Sequence, residues 1–272
     1  MPSLAPARKY GKCLSLGVKA GIEYRVNILF SIAGAISPVV IQTALWLVLY
    51  AGDPGAIMFG FTFPQMVAYT VIAQLVTRIV RTGFEYDVNY DIKSGGLDRY
   101  LVKPIGYFGF RIFSFLGDKL VQGAAIGALL AVSVVVMSTA LGFATTAASV
   151  LLFVLALFLA LAMNFLLFWC VSLSGFWLTE IGFLFEAVRI VIVAASGGIL
   201  PLAVFGPDAE RALKLMPFRF TIQFPTEVLS GRVPPSEMLP SFALCALWLI
   251  ALAALGRVVW GRGIRRFAAV GS

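Results

Sequence analysis

Hydrophobic positions in this chain fall into long, nearly uncharged runs. They form neither the alternation of a half-buried strand nor the narrow stripe of a surface helix. Six runs, covering about 26–50, 63–80, 120–141, 148–171, 183–200 and 239–260, have the length a helix needs to cross hydrocarbon. The pattern predicts an all-α integral membrane protein with six transmembrane helices in a 26–260 unit. Asp53, Pro54 and Gly55 mark the turn after the first run.

Three stretches between or beside the runs have their own patterns. In the 1–25 segment, Arg8, Lys12, Ser15 and Lys19 share one helix face, and Tyr10, Leu14, Val18 and Ile22 line another. That spacing predicts a basic amphipathic helix lying in the membrane interface. The polar stretch 82–118 is interrupted at Gly95 and Gly96, after which Leu97–Lys103 reads as a short helix stopped by Pro104. Leu97, Tyr100 and Leu101 share an apolar face flanked by Asp98, Arg99 and Lys103. Such a face either docks into a partner's groove or rests on the protein's own surface. The 197–238 stretch is broken by Gly197, Gly198, Pro201, Pro217, Pro225 and Gly231, yet it is too apolar for a solvated loop. Short re-entrant helices between spans five and six are expected there, as a lid over a path or as a structural cap.

Composition supports lipid as the solvent. Of 272 residues, 60% are hydrophobic and 12% charged, about half the charged share of a soluble domain. Mean hydropathy is +0.95. The net charge of +8 does not point to nucleic acid, because the basic residues sit at the ends of apolar runs, where anionic headgroups lie. The N-terminal segment, the 78–119 segment and the 261–272 tail with nearby Arg257 hold sixteen of the 21 Lys and Arg. Six spans place all sixteen on one side. The positive-inside rule then predicts cytoplasmic termini. No short apolar core with a cleavage site precedes the first run, so a cleaved signal peptide is not expected.

The chemistry that is missing narrows the function. Histidine is absent, which removes Ser–His and Cys–His pairs, HExxH zinc sites and histidine proton relays. Cys13, Cys170 and Cys245 have neither metal-ligand spacing nor an even count for a disulfide framework. No G-x-x-x-x-G-K-[ST] sequence occurs; Gly11-Lys12 is followed by Cys13 and lacks the upstream glycine. Catalytic, cofactor-binding and metal-ligating residues are therefore not expected. Polar groups within the runs are few: Asn164, and Glu186 with Arg189, three apart and able to pair. Gly123 and Gly127 have the spacing of a close helix contact, within the bundle or across a dimer.

The layout resembles the ABC-2 type permeases, the six-span membrane subunits of ABC exporters. It is most similar to a subgroup with paired permeases and a separate ATPase. Three features carry the resemblance: the basic helix before span one, Ser94-Gly95-Gly96-Leu97-Asp98-Arg99-Tyr100-Leu101-Val102-Lys103-Pro104, and Ser196-Gly197-Gly198-Ile199-Leu200-Pro201 continuing to Pro217 and Pro225. The resemblance implies a bacterial plasma (inner) membrane location and a translocation path enclosed by two permease subunits, identical or related. It also implies two ABC ATPase subunits that bind ATP and Mg, docked where residues 97–104 couple ATP-driven closure to the path. A mostly apolar, aromatic path points to an amphipathic or lipid-like cargo. The residues alone leave open a secondary transporter or channel working without an ATPase. Sparse buried carboxylates weigh against a proton-driven version, and the absent histidine weighs against a lipid-acting enzyme.

Overall fold

The computed structural model describes residues 5–270, apart from 24, 54, 102–104, 142–144 and 179. It is 83% helical, with no strand among the described residues. Helices α1 (Ala5–Glu23), α2 (Arg25–Tyr50), α3 (Phe63–Val80), α4 (Phe84–Lys93) and α5 (Asp98–Leu101) precede the long α6 (Tyr107–Leu141). Then follow α7 (Ala147–Ser172), α8 (Gly182–Ala195), α9 (Pro207–Leu215), α10 (Gln223–Leu229) and α11 (Pro235–Val270). Short 3-10 turns cover Leu173–Phe176, Leu202–Phe205 and Pro217–Thr221.

Among the described residues, five helical stretches are long and apolar enough to cross a membrane: 32–50, 63–93, 107–139, 147–176 and 235–267. The expected fifth span is the exception. α8 has 14 residues, which gives it about 21 Å of length against a hydrocarbon core of about 30 Å. Its helix ends where Gly197 takes a φ of +78°. By contrast α6, with 35 residues, begins 13 positions before the expected third span at 120, and at about 52 Å it outruns the bilayer core. The extra turns carry Arg111, Asp118 and Lys119, whose charge had hidden them from the apolar pattern.

Side-chain contacts fix the direction of each helix. Trp46 Nε1 donates to Thr70 Oγ1 at 3.0 Å and the Tyr50 hydroxyl to the Phe61 carbonyl at 2.8 Å, so α2 and α3 are antiparallel. Phe108 packs on Trp169 and Phe115 on Phe165, which sets α6 against α7 in the same sense. Trp169 meets Trp260 and Phe176 meets Phe267, so α7 and α11 descend together. α8 rises beside α3, from Arg189 at the level of Glu85 to Gly197 at Tyr69. The broken segment completes the ascent, since Arg232 Nη2 donates to the Gly60 carbonyl at 2.7 Å. The start of α2 and the end of α11 thus lie at one end of the bundle, called here the basic end.

α1 differs from a helix that simply floats in the interface. Lys12, Ser15 and Lys19 are exposed as the pattern requires, but the buried stripe is Cys13, Gly17 and Gly21, four apart. Tyr10, Leu14 and Val18 are half-buried and Ile22 is exposed. The glycines let α1 run alongside α6 at backbone contact: a Cβ on Gly17 would stand 2.1 Å from the Ser114 carbonyl oxygen, and one on Gly117 2.2 Å from that of Leu14. Tyr10 stacks on Phe113 with centroids 4.9 Å apart. Burial pushes the Cys13 thiol pKa up, which keeps it a packed apolar group. A Cβ on Gly123 or Gly127 would meet nothing within 4 Å, so within the chain the close helix contact is made by Gly17, Gly21 and Gly117.

Candidate functional site

The charged residues of the basic end are organised by α4, which the hydropathy pattern alone does not reveal. Phe84, Val88 and Ile92 recur every four residues and bury one face, with Glu85 and Asp91 on the same side. Both carboxylates are deeply buried, and each has a guanidinium. Arg111 Nη2 meets Asp91 Oδ2 at 2.5 Å and Arg111 Nη1 meets Asp87 Oδ2 at 2.9 Å. The Tyr107 hydroxyl donates to Asp91 Oδ2 at 2.7 Å and accepts from Arg111 Nε at 3.0 Å. On the other side Glu85 Oε1 takes Arg189 Nη2 at 2.5 Å. Breaking such a buried pair by removing one partner costs about 3–5 kcal/mol, so these bonds clamp α4 to α6 and α8.

Arg189 does approach Glu186, at 3.4 Å. Its closer partner is Glu85, while Glu186 accepts from the Tyr86 hydroxyl at 2.6 Å. The sequence spacing could show only the local pair, because Glu85 lies 104 positions away. Asn164 donates through Nδ2 to the Val80 carbonyl, one of those left open where α3 ends.

The 94–104 segment hangs from α4. The Leu97 N–H donates to the Asp91 carbonyl at 3.2 Å, and Gly95 turns the chain with a φ of +72°. Leu97 is 1% exposed, and the Tyr100 ring packs edge-on against Tyr107 with centroids 4.9 Å apart. Leu97 and Tyr100 thus pack on the protein's own surface. Burial raises the Tyr100 phenol pKa above its ordinary value. Asp98 and Arg99 face outward beside exposed Tyr90 and Lys93, and Arg99 lies 3.8 Å from Asp91. Val102, Lys103, Pro104 and Pro54, and the side chains of Leu101, Arg8 and Arg25, lie outside the described residues.

At the break after α8, freed backbone groups are met by side chains of other elements. The Tyr69 hydroxyl donates to the Gly197 carbonyl at 2.8 Å, and Gln74 Nε2 to that of Gly198 at 2.9 Å. Gln223 accepts from the Leu202 N–H through Oε1 at 3.1 Å, and its own N–H donates to the Ser196 carbonyl at 2.9 Å. Pro201 precedes one 3-10 turn, Pro217 opens another, and Pro225 lies in the first turn of α10, where a missing N–H is tolerated. Arg219 pairs with Glu227 at 3.0 Å, Arg211 with Asp208 at 2.5 Å and Lys214 with Glu210 at 2.6 Å. Three of the segment's four cations are thereby offset, and the fourth, Arg232, reaches the Gly60 carbonyl and the Phe61 ring.

Two cavities flank the inner turns of α3. One, of about 740 Å³, opens among α1, α3, α4 and α6 and is lined by polar and charged groups. The other, of about 590 Å³, lies among α2, α3, α7 and α8, reaches Gly198 and Leu200 at the break, and is mainly apolar. Arg78 and Arg81 line both. Among the described residues no group of three or more Cys, Asp or Glu forms a metal site.

Residues 36–271 match a family model described as ABC-2 family transporter protein. The match takes in α3 to α11 and most of α2, and leaves α1 outside it. No curated protein matches the chain.

Proposed function

The chain belongs to the ABC-2 family of transporter proteins, and from that premise we propose that it is the permease subunit of an ABC exporter, coupled to a separate ATPase. Membership makes it a multi-pass membrane component that is generally not itself catalytic. On our reading the five long helices and the α8 ascent cross the membrane six times, with the basic end and both termini in the cytoplasm of a bacterial cell. Two copies, or this chain and a related permease, enclose the path. The short helices after α8 re-enter from the opposite face, and ATP and Mg are bound by the ATPase.

One observation carries the coupling role. The outward face of the 93–99 turn, Lys93, Asp98 and Arg99, stands on α4, and α4 is ion-paired to both α6 and α8. Across the Gly95-Gly96 turn the face is tied back to Asp91 by the Leu97 N–H and by Arg99, so a push on it reaches α6 and α8 through α4. This supports movement of α4, α6 and α8 as one body when the ATPase closes.

The test is reconstitution with the ATPase. Purified chain alone should hydrolyse no ATP, and the complex should. Asp98→Lys combined with Arg99→Glu reverses an exposed charge pattern without touching buried Leu97. It should weaken ATPase retention by about tenfold or more, as like charges meet at the interface. Retention at the wild-type level, or ion-gradient-driven transport by the chain alone, would overturn the proposal.

A further inference from the structure

The two cavities meet at a pair of arginines whose charge is not cancelled. Of the cations lining them, Arg111 and Arg189 are paired with buried carboxylates, and Lys119 Nζ donates to the Gln122 amide oxygen at 2.9 Å. Arg78 and Arg81 have no carboxylate within ion-pair distance among the described residues. Among the described residues Arg78 donates only to the Gly34 backbone carbonyl and its Nε is buried without an acceptor, while Arg81 is exposed to the cavities. The Thr82 hydroxyl beside them is also buried without a partner. Unpaired buried donors are uncommon in folded proteins, and each is a place where an incoming acceptor is favoured.

The surroundings specify the shape of that acceptor. Toward the basic end the arginines face a polar vestibule. On the other side they edge a cavity walled by Pro38, Ile41, Leu45, Val80, Phe168 and Ile192. Each cavity has the volume of a small-molecule site, about 300–1,000 Å³. A soluble anion would leave the apolar side unused, and a neutral hydrocarbon would leave the guanidinium groups unmatched. A molecule with an anionic head and one hydrocarbon tail satisfies both.

We propose that Arg78 and Arg81 bind the anionic head group of a single-chain amphiphile whose tail lies in the apolar cavity, and that this is the class of cargo the permease carries. The second half rests on the permease reading; the binding site itself does not require an ATPase. The full chain in neutral detergent is titrated, without ATPase, with palmitoyl lysophosphatidic acid, with monopalmitoylglycerol and with inorganic phosphate, and bound species are counted by native mass spectrometry. The phosphate amphiphile should saturate at one per chain and bind about tenfold or more tighter than the uncharged one, the effect of a charge-assisted bond. Arg78→Gln with Arg81→Gln should erase that difference. Arg78→Lys with Arg81→Lys should keep most of it, which separates lost charge from lost fold. Ile41→Trp, which fills the tail cavity from an exposed position, should weaken both amphiphiles. Equal binding of charged and uncharged amphiphiles, indifference to the glutamine pair, or displacement by inorganic phosphate alone would overturn the site. ATP-driven transport measured on the same variants addresses the permease reading separately.

Discussion

At the scale of single residues, the best-determined position is Gly197. Its φ of +78° and its surroundings both exclude a side chain: a Cβ would meet Gln223 Oε1 at 2.5 Å and the Tyr69 hydroxyl at 2.6 Å. Gly95 has nearly the same backbone, at +72°, but nothing within 4 Å. The two glycines separate conformational strain from crowding. Gly95→Ala should cost about 1–2 kcal/mol, the left-handed penalty alone. Gly197→Ala adds the loss of buried hydrogen bonds at the break, for a total of about 2–5 kcal/mol. Thermal unfolding of the two variants in detergent checks the order. Equal losses would mean that the Tyr69 and Gln223 contacts do not hold the break. The glycines themselves were legible in the sequence as a helix break. Their partners were not, because Tyr69 and Gln74 lie about 125 positions away and look like ordinary polar interruptions of an apolar run.

At the scale of elements, hydropathy located the ends of α2, α3 and α7 within about a residue, since lipid-length apolar helices leave little freedom of placement. It failed where a helix combines charge with burial. The first 13 residues of α6 read as a polar connection because Arg111, Asp118 and Lys119 interrupt them. α4 was missed because its apolar spacing is diluted by three carboxylates, two of which are buried against arginines. The basic face of α1 was readable, but its contact with α6 was not, because glycine carries no hydropathy signal. That contact gives a direct prediction. Gly17→Leu puts a side chain into the Ser114 backbone and should detach α1 from α6, which limited proteolysis would read as faster cleavage within α1. Gly11, with nothing within 4 Å, is the control: Gly11→Ala should gain up to about 1 kcal/mol of helix propensity and leave cleavage unchanged. Equal protease sensitivity of the Gly17→Leu variant and the wild type would show that the α1–α6 contact is dispensable.

At the scale of the whole molecule, the two ends of the bundle differ in how charge is handled. The segment after α8 pairs Arg211, Lys214 and Arg219 with carboxylates, and Arg232 lies over the Phe61 ring at 3.6 Å. The basic end keeps Lys12, Lys19, Lys93 and the arginines of late α11 exposed. An anionic inner leaflet selects for such an asymmetry, and on the proposed permease reading it leaves the turn on α4 on the side from which a cytoplasmic ATPase would dock. The most direct test of this account places a photo-crosslinking residue at Asp98 or at exposed Ile57, at the opposite end, in cells that also make the ATPase. The account predicts adducts to the ATPase from position 98, changing in yield when ATP hydrolysis is blocked, and none from position 57. Adducts from position 57, or from neither position while the ATPase is present and folded, would contradict it.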